Sequence, residues 1–468
     1  MPSSKAISTT RRRFLASFGL GGAALFAGQA PRKRPNVVIL LTDDQGALDA
    51  NCYGSKDLFT PNMDALAERG VRFTRAYAHT VCCPARALLL TGRQPQRSGV
   101  VDWIQGDMKG PRGRNMSLKE VTLAEALKAH GYETALFGKW HLGAAADSGP
   151  TRQGFDLFYG FRDGFIDKYN HYFLHGKGFH DLYKGTQEVW EPGVYFPDIV
   201  VRESLRFLEE NRDRPFFLYA AFGLPHYPEQ ADKKFTERYK DLPMPRRSYA
   251  AVVSTVDDRM GRILKKIDEL GLRDNTIIVF ASDNGYSIED YSISVDNHAS
   301  GYPKGHYYGA HHGGGNTGKW RGNKDTFFEG GLLVPAIVSY PDRLPWRAVR
   351  HQAISIADFY PTVLELCGIP LPRQAFDGKS LLPVLRSPEA PSPHPVMHWQ
   401  WQDRWAVLEG DWKLIDDHKN KGIGEEQIFL GNLADAQPER KNYAHERPEI
   451  VQHLRQLHER WLAEVEPR

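Results

Sequence analysis

Several features that mark other protein classes are scarce in this sequence. Only 4 of the 468 residues are cysteines, at irregular spacing, which excludes a scaffold held by a framework of disulfides. The formal net charge is only +3, and Lys5 and Arg11 to Arg13 lie within the first 30 residues, so the rest is close to neutral. This gives no electrostatic case for nucleic-acid binding. Beyond residue 30 we find no internal repeat and no run that reads as a membrane span.

What remains is the composition of a folded protein. Hydrophobic residues make up 41% and charged residues 25% of the chain, values typical of globular proteins. A chain of 468 residues is long enough to bury a large core.

The first 30 residues have the order of an export signal. A basic run from Thr10 to Leu15 precedes an apolar stretch from Phe14 to Ala27, shorter than the ~20 residues of a spanning helix. Small residues follow around Gly28 to Ala30. The pattern resembles the twin-arginine export motif of bacteria. The resemblance implies a signal peptide over residues 1–30, the twin-arginine translocase as partner, a periplasmic or secreted protein and no stable membrane insertion; the alternative is a frayed basic tail.

Strand and helix patterns alternate through the next part of the chain. The apolar run from Asn36 to Thr42 is typical of a parallel strand buried on both faces. Helices are predicted from Thr60-Pro61 to Gly70, from the capping box of Thr122 and Glu125 to Gly131, and over the amphipathic stretch 250–270. Further strands are predicted over 134–137, 216–222 and 277–281. The alternation predicts an α/β domain over residues 31–377, with a large mixed, mostly parallel sheet flanked by helices.

The pattern changes after Asp377. A proline-rich linker over 388–395 leads into short aromatic strands at 405–408 and 412–415 and a terminal helix from Pro448 to Val465. We predict a smaller subdomain over residues 378–468, with an antiparallel sheet and a helix.

Two of the predicted strands end in oxygen ligands. Asp43 and Asp44 follow the first strand, and Asp283 and Asn284 follow the strand at 277–281. Because sites in open α/β sheets lie beyond the carboxyl ends of the strands, these four residues could share a hard cation such as Ca²⁺. The alternative is that each pair is a solvated turn or a helix cap.

The stretch from Val81 to Arg93 is more specific. Pro84 in a first helical turn places Cys82 just before the helix, where unpaired N–H groups favour an anion. The residues Cys82-Cys83-Pro84-Ala85-Arg86, followed by Thr91-Gly92-Arg93, resemble the signature Cys-x-Pro-Ser/Ala-Arg of the type I, formylglycine-dependent sulfatases of the alkaline phosphatase superfamily. The resemblance implies that a formylglycine-generating enzyme oxidises Cys82 to formylglycine and that Cys83 stays a thiol. The alternative is a pair of buried core thiols.

Three further stretches resemble motifs of the same family in the same order. They are Phe137–Gly143 with Gly-Lys-Trp-His, Pro225–Pro228 with Pro-His, and Gly322–Gly331 with Lys followed by Glu-Gly-Gly. Taken singly, each would be an ordinary turn or a solvated side chain.

The resemblance also implies a role for each site residue. Calcium would be held by residue 82 together with Asp43, Asp44, Asp283 and Asn284. Lys139 and Lys324 would grip the sulfate oxygens, and Arg86 would orient the hydrated aldehyde. His226, together with Lys324, would protonate the leaving alcohol, and His141 would take the second hydroxyl's proton so that the aldehyde re-forms.

These motifs lead to one predicted function and two alternatives. The predicted function is that of a calcium-dependent sulfatase acting on a sulfated carbohydrate. The alternatives are a phosphonate or phosphodiester hydrolase of the same superfamily, and an inactive sugar-binding relative in which Cys82 is never converted.

A long segment from Tyr286 to Arg321 connects Asn284 to the neighbourhood of Lys324. Because both of its ends are tied to candidate site residues, we predict that it shapes the substrate pocket. Tyr302, Tyr307 and Tyr308 would stack on sugar faces, and hydroxyls or sulfate would be bound by His298, His306, His311 and His312. The alternative is a mobile glycine-rich surface loop.

Overall fold

A computed structural model of the protein describes residues 34–104, 115–145, 147–418 and 427–466. The predicted signal peptide, residues 1–30, lies outside the described residues. Within the described ranges, no helix combines the length and the apolar character needed to cross a membrane.

Most of the strands belong to one large mixed sheet. Within the described ranges it has 11 strands in the order β12-β2-β11-β10-β1-β9-β3-β4-β7-β8, with β13 also paired to β2. The strands in chain order are β1 (Asn36–Asp43), β2 (Val71–Tyr77), β3 (Glu133–Lys139), β4 (Leu157–Phe161), β5 (Tyr172–Phe173), β6 (Phe179–His180), β7 (Tyr183–Lys184), β8 (Gln187–Glu188), β9 (Phe216–Pro225), β10 (Thr276–Ser282), β11 (Leu333–Ser339), β12 (Ala348–Arg350), β13 (Ile354–Ser355), β14 (Val396–Trp401), β15 (Arg404–Glu409), β16 (Trp412–Asp416) and β17 (Ile428–Asn432).

Helices cover both faces of this sheet. Val37, Ile39 and Leu41 of β1 pack into one hydrophobic cluster, whereas Val38 and Leu40 pack into another, as the alternation of side chains along a strand requires. The helices in chain order are α1 (Pro61–Glu68), α2 (Cys82–Thr91), α3 (Pro95–Ser98), α4 (Leu123–Lys128), α5 (Phe196–Glu210), α6 (Lys233–Arg238), α7 (Arg246–Glu269), α8 (Glu329–Leu332), α9 (Phe359–Leu366), α10 (Leu382–Arg386) and α11 (Pro448–Val465). The first cluster includes residues of α2, α4 and α9, and the second includes residues of α1, α5 and α7.

The predicted α/β fold is confirmed. The four central strands lie in the order β10-β1-β9-β3 and run parallel to one another, while β11 runs antiparallel to β10 and makes the sheet mixed. The capping box of Thr122 and Glu125 is present at the start of α4. Because the four central strands run the same way, their carboxyl ends meet at one edge of the sheet.

The C-terminal part has the predicted antiparallel sheet and helix. Strands β14 to β17 pair in sequence order, and Leu454 of α11 packs against Val407, Leu414 and Leu430 on one face of that sheet. The opposite face contributes Trp399 and other side chains to a cluster with Val81 and Phe328. The smaller sheet therefore supports the chain just before Cys82 and just after Lys324. The predicted boundary between residues 377 and 378 stays a prediction.

Candidate active site

The carboxyl ends of the four central strands bring together residues that are far apart in sequence. Asp43 ends β1 and Asp44 follows it, Lys139 ends β3, and His226 comes directly after β9. Asp283 and Asn284 come directly after β10. The structure therefore places both predicted pairs of oxygen ligands at one edge, beside the predicted Lys139 and His226.

The two oxygen-rich strand ends are joined by hydrogen bonds. The backbone N–H of Asp44 donates to Asp283 Oδ1 at 3.3 Å, and Asn284 Nδ2 donates to Asp44 Oδ1 at 2.6 Å. Asp44 has a φ of 67°, in the left-handed region that non-glycine residues seldom adopt. This backbone strain is the kind that packed functional sites hold in place.

Arg86 links the same two strand ends through ion pairs. Its Nε and Nη2 lie 3.0 and 2.8 Å from Asp283 Oδ2, and Nη2 lies 3.6 Å from Asp43 Oδ2. Nη1 donates to the backbone carbonyl of Lys139 at 3.2 Å. The side chains of Arg86, Asp43 and Asp283 are fully buried, so the guanidinium offsets carboxylate charge that water does not reach. In this arrangement Arg86 positions the acidic side chains.

Cys82 lies at the centre of the cluster. Its Sγ is 3.3 Å from Asp43 Oδ1 and 4.0 Å from Asp44 Oδ1. Burial, followed by the charges of Asp283 and Asp43, raises the pKa of Cys82 well above its ordinary value. An unmodified thiol here stays protonated and is a poor nucleophile.

One detail of this motif differs from the prediction. Cys82 is the first residue of α2 and Val81 is the N-cap, so Cys82 does not lie just before the helix. Pro84 therefore occupies the third helical position, still within the first turn, where its missing N–H costs no helical hydrogen bond.

Cys83 faces away from the cluster. It belongs to the hydrophobic core on one face of the main sheet, and its Sγ accepts a hydrogen bond from the Ile104 N–H at 3.2 Å. All four cysteines lie within the described ranges, and none of them forms a disulfide there. The two adjacent thiols therefore have separate surroundings, one polar and one apolar.

Two lysines supply positive charge. Lys139 Nζ lies 2.7 Å from Asp43 Oδ2, and Lys324 Nζ lies 3.1 Å from Asp44 Oδ2. Burial alone would raise the pKa of Asp43, but the positive charges of Lys139, Arg86 and Lys324 hold it well below its ordinary value. Gly138 makes the position of Lys139 possible, because a Cβ there would lie 1.8 Å from the carbonyl oxygen of Ala221.

The hydrogen bonds of His226 define its tautomer. Nδ1 lies 2.8 Å from the carbonyl oxygen of Tyr227, which only accepts, so Nδ1 carries the proton. Nε2 then accepts from the Lys324 ammonium at 3.2 Å. Burial and the charge of Lys324 lower the pKa of His226 well below its ordinary value. The imidazole is therefore neutral, with its lone pair toward Lys324.

His141 is placed differently. It is buried, its φ is 57°, and neither ring nitrogen has a hydrogen-bond partner among the described residues. Burial, followed by the charges of Lys139 and Arg86, lowers the pKa of His141 well below its ordinary value. His141 is thus a neutral base whose lone pair is not already engaged.

The donor set fits a hard divalent cation. Asn284 Oδ1 is buried and has no hydrogen-bond partner among the described residues, although its Nδ2 is engaged. Burial and neighbouring acids raise the pKa of Asp44 to about 8 and that of Asp283 to about 6, so three ionised carboxylates here call for further positive charge. Carboxylate and amide oxygens are the ligands of Ca²⁺. Cys82 and His226 also lie close, since their ligand atoms and those of Asp43 and Asp44 are all within 4.8 Å of one another.

A cavity of about 310 Å³ opens above this group. We call the buried residues beneath it the floor: Asp43, Asp44, Cys82, Arg86, Lys139, His141, His226, Asp283, Asn284 and Lys324. We call the other side chains that line it the wall: Trp103, Phe165, His175, Tyr227, Glu289 and Tyr291. Every floor residue was predicted from the sequence as a site residue, whereas no wall side chain was predicted to line the pocket.

The segment 286–321 does border the cavity, but through other residues than predicted. Glu289 and Tyr291 line the wall, whereas the described lining includes none of the three predicted tyrosines and four predicted histidines. His312 is 80% exposed and lies 3.0 Å from Asp290, and Tyr302 stacks on His306 at 3.9 Å between ring centroids. Tyr302 also donates to Asp167 outside the segment, and the Tyr308 hydroxyl lies 2.9 Å from Nδ1 of the wall residue His175. None of the seven side chains is part of the described lining, so their predicted contact with a bound sugar has no support at this cavity.

Comparisons with known proteins agree with this geometry. A family model described as Sulfatase matches residues 35–369. Human arylsulfatase A is 33% identical over 77% of this chain and 70% of its own length. N-acetylgalactosamine-6-sulfatase of Canis lupus familiaris is 31% identical over 84% of this chain and 74% of its own length. The crystal structure of Ps i-CgsB in complex with k-i-k-neocarrahexaose has a TM-score of 0.77 at 25% identity, covering 92% of this chain and 93% of that one.

Proposed function

Since this chain belongs to the sulfatase family of sulfuric ester hydrolases, we propose that it is a calcium-dependent enzyme that removes sulfate from a sulfated carbohydrate. The nucleophile in this proposal is formylglycine formed from Cys82. A sugar substrate is supported by the name of the relative N-acetylgalactosamine-6-sulfatase and by the oligosaccharide complex of Ps i-CgsB. The aromatic side chains of the wall also suit a sugar face.

The position of Cys82 is the observation that carries the proposal. Its Sγ lies within 4.0 Å of two carboxylates that share a floor with two lysines and two neutral histidines. A thiol that only fills the core would be surrounded by apolar side chains, as Cys83 is in the same helix. The floor thus surrounds residue 82 with groups that hold an anion and move protons.

Two groups complete the site in this proposal. Formylglycine at residue 82 would supply, as its hydrate, two hydroxyls on one carbon, one to serve as the nucleophile and the other to be deprotonated. The oxygens of Asp43, Asp44, Asp283 and Asn284 would hold calcium, which would supply further positive charge to the site. Both fit the donor set of the floor.

The lysines hold the sulfate group. Lys139 and Lys324 have ammonium groups at 2.7 and 3.1 Å from Asp43 and Asp44, and the charges of both act on Cys82. An ester sulfate bound over residue 82 places its oxygens between these charges. Positive charge that is fixed before the reaction stabilises the charge that develops in the transition state without reorganisation.

Lys324 and His226 form the proton donor for the leaving alcohol. Because His226 is neutral and its Nε2 accepts from the Lys324 ammonium, the proton of this pair resides on Lys324 before substrate binds. As the leaving oxygen gains charge, it takes this proton from the Lys324 ammonium, which the hydrogen bond to His226 Nε2 holds in position. The alcohol departs neutral, and an alkoxide is avoided.

His141 serves the second half of the cycle. Its ring nitrogens have no hydrogen-bond partner among the described residues and its imidazole is neutral, so it accepts a proton released at residue 82. Arg86 contributes indirectly, by holding Asp43 and Asp283 in place.

Matched esters test the reaction class. We expect a higher kcat/KM for 4-nitrophenyl sulfate than for 4-nitrophenyl phosphate or for a 4-nitrophenyl phosphonate with the same leaving group. A preference for the phosphonate or for a phosphodiester would favour the other branch of the superfamily. An inactive protein whose residue 82 is still cysteine, but which binds sugars, would favour the sugar-binding alternative.

Maturation and export are part of the proposal. The twin-arginine route accepts folded cargo, so oxidation of Cys82 by the formylglycine-generating enzyme precedes folding in the cytoplasm, and the mature chain begins near Pro31. Replacing Arg11 and Arg12 by lysine should leave active protein in the cytoplasm. Unchanged delivery to the periplasm or medium would refute the twin-arginine assignment.

A further inference from the structure

The wall of the pocket contains one carboxylate, that of Glu289. Its Oε2 lies 2.8 Å from Lys324 Nζ and accepts from Ser287 Oγ at 3.0 Å. Its Oε1 accepts from the hydroxyls of Tyr227 and Tyr291 at 3.3 and 3.2 Å. The side chain nevertheless keeps 14% of its surface exposed, and it lines the cavity.

These contacts keep Glu289 ionised. Burial alone would raise its pKa, but Lys324 and the hydroxyls of Ser287 and Tyr291 hold the pKa of Glu289 below its ordinary value. The carboxylate thus places a negative charge beside the lysine that, in the proposed function, grips the sulfate. A substrate group next to the bound sulfate would therefore lie close to the Glu289 carboxylate.

The described wall offers nothing to balance a second anion. Among the described residues that line the cavity, Lys324 is the only lysine or arginine, and it is already paired with Asp44 and Glu289. Burial lowers the pKa of His175 to about 4, so that this histidine is neutral at physiological pH. The remaining wall side chains are Trp103, Phe165, Tyr227 and Tyr291.

Asp290, the residue after Glu289, is an acid that lies outside the pocket. It pairs with His312 at 3.0 Å and also accepts from the Tyr307 hydroxyl. It does not belong to the described lining of the cavity. Glu289 and Asp290 therefore form a matched pair, with one carboxylate inside the pocket and one outside.

We propose that Glu289 is a specificity residue that selects sugars carrying a free hydroxyl beside the scissile sulfate and rejects those carrying a second sulfate or a carboxylate there. A hydroxyl can donate to the carboxylate, whereas a second anion would meet a like charge in a partly desolvated site. This inference rests on the proposed function, because the sulfate must be bound at Lys324 for its neighbour to reach Glu289.

Glu289 also touches Lys324, so the test must separate specificity from support of that lysine. The probes are 4-nitrophenyl sulfate, the galactose monosulfates and the galactose disulfates with sulfates on adjacent hydroxyls. Sulfate release is measured for the wild type, Glu289→Gln and the matched control Asp290→Asn. The quantity compared is the ratio of kcat/KM for each monosulfate to kcat/KM for its disulfate.

We expect the wild type and Asp290→Asn to prefer the monosulfate by at least about tenfold. Glu289→Gln should bring this ratio close to one, even if turnover of all probes falls because Lys324 has lost its partner. Equal turnover of both classes by the wild type would overturn the proposal. A Glu289→Gln variant that loses activity on every probe by the same factor would also overturn it, because Glu289 would then only position Lys324.

A binding measurement keeps the inference separate from the proposed reaction. Cys82→Ala, and Cys82→Ala combined with Glu289→Gln, are titrated with the same sugars by calorimetry. The first should bind monosulfates at least about tenfold more tightly than disulfates, and the second should lose that preference. If no ester is hydrolysed but the preference is present, the proposed function fails and Glu289 keeps its role. If binding shows no preference, the role of Glu289 is wrong whatever the activity.

Discussion

Most of the floor of the pocket comes from strand ends and one helix start, whereas most of its wall comes from irregular segments. Floor residues such as Asp43, Arg86 and Lys139 are completely buried and bound to one another by hydrogen bonds and ion pairs. Wall residues are held largely by ring contacts, for example His175 against Tyr291 at 4.7 Å and Phe165 against Tyr227 at 4.8 Å between centroids.

This difference separates chemistry from recognition. A buried network with fixed geometry suits steps in which charge develops at one atom, because its groups need no reorganisation. Loop-borne aromatic side chains can vary without disturbing the sheet that carries the floor. Changes in the floor should therefore affect all substrates alike, and changes in the wall should distinguish between them.

The largest effect is expected at the nucleophile. Cys82→Ala should lower kcat/KM at least about 10⁴-fold on both an aryl sulfate and a sulfated glycan, because the reacting group is lost. Cys83→Ala is the matched control, one residue along the same helix but packed in the core, and it should keep most of the activity. Equal losses in the two variants would refute the assignment of residue 82.

Removal of the cation should come next. Chelation should reduce turnover of both substrates to the background rate, and Ca²⁺ should restore it, since the floor offers carboxylate and amide oxygens. Activity is followed after dialysis against a chelator and readdition of one metal at a time. Restoration by Zn²⁺ but not by Ca²⁺ would contradict an oxygen-ligated calcium site.

The wall should give a smaller and selective effect. Tyr291→Ala removes an aromatic face from the cavity and should lower kcat/KM on a sulfated glycan by about tenfold, with less change on an aryl sulfate. Tyr291→Phe keeps the ring and should keep most of the glycan activity. If kcat/KM of Tyr291→Ala falls equally on the two substrates, the division of catalysis to the floor and substrate recognition to the wall does not hold.

The smallest effect is expected outside the pocket. His311→Ala and His312→Ala should change kcat/KM by less than about twofold on either substrate, because His312 makes an exposed pair with Asp290 and His311 is not among the residues that line the cavity. A selective loss on the glycan would return these histidines to the substrate site, as the sequence alone suggested.

The floor was predictable because each of its parts has a local signal. Asp43 and Asp283 each follow a continuous apolar run. Such a run is the usual sequence form of a parallel strand buried on both faces. Once the strands are parallel, their carboxyl ends must meet. Cys82, Pro84 and Arg86 lie within five consecutive residues, so their motif could be recognised without knowing the rest of the fold.

The wall was not predictable in the same way. Trp103, Phe165 and Glu289 come from three separate segments, and only tertiary packing brings them to one cavity. Within 286–321 the sequence shows which side chains could bind a sugar but gives no period from which to decide which way each one points. In the folded protein, His312 pairs with Asp290 and Glu289 pairs with Lys324.

The central claim is that residue 82 is converted and acts as the nucleophile of a sulfatase. Mass spectrometry of the proteolytic peptide that contains residue 82, from protein active on 4-nitrophenyl sulfate, tests this most directly. The account predicts the mass of an aldehyde or its hydrate at residue 82 and an unmodified thiol at Cys83. Active protein in which residue 82 is entirely cysteine would contradict it.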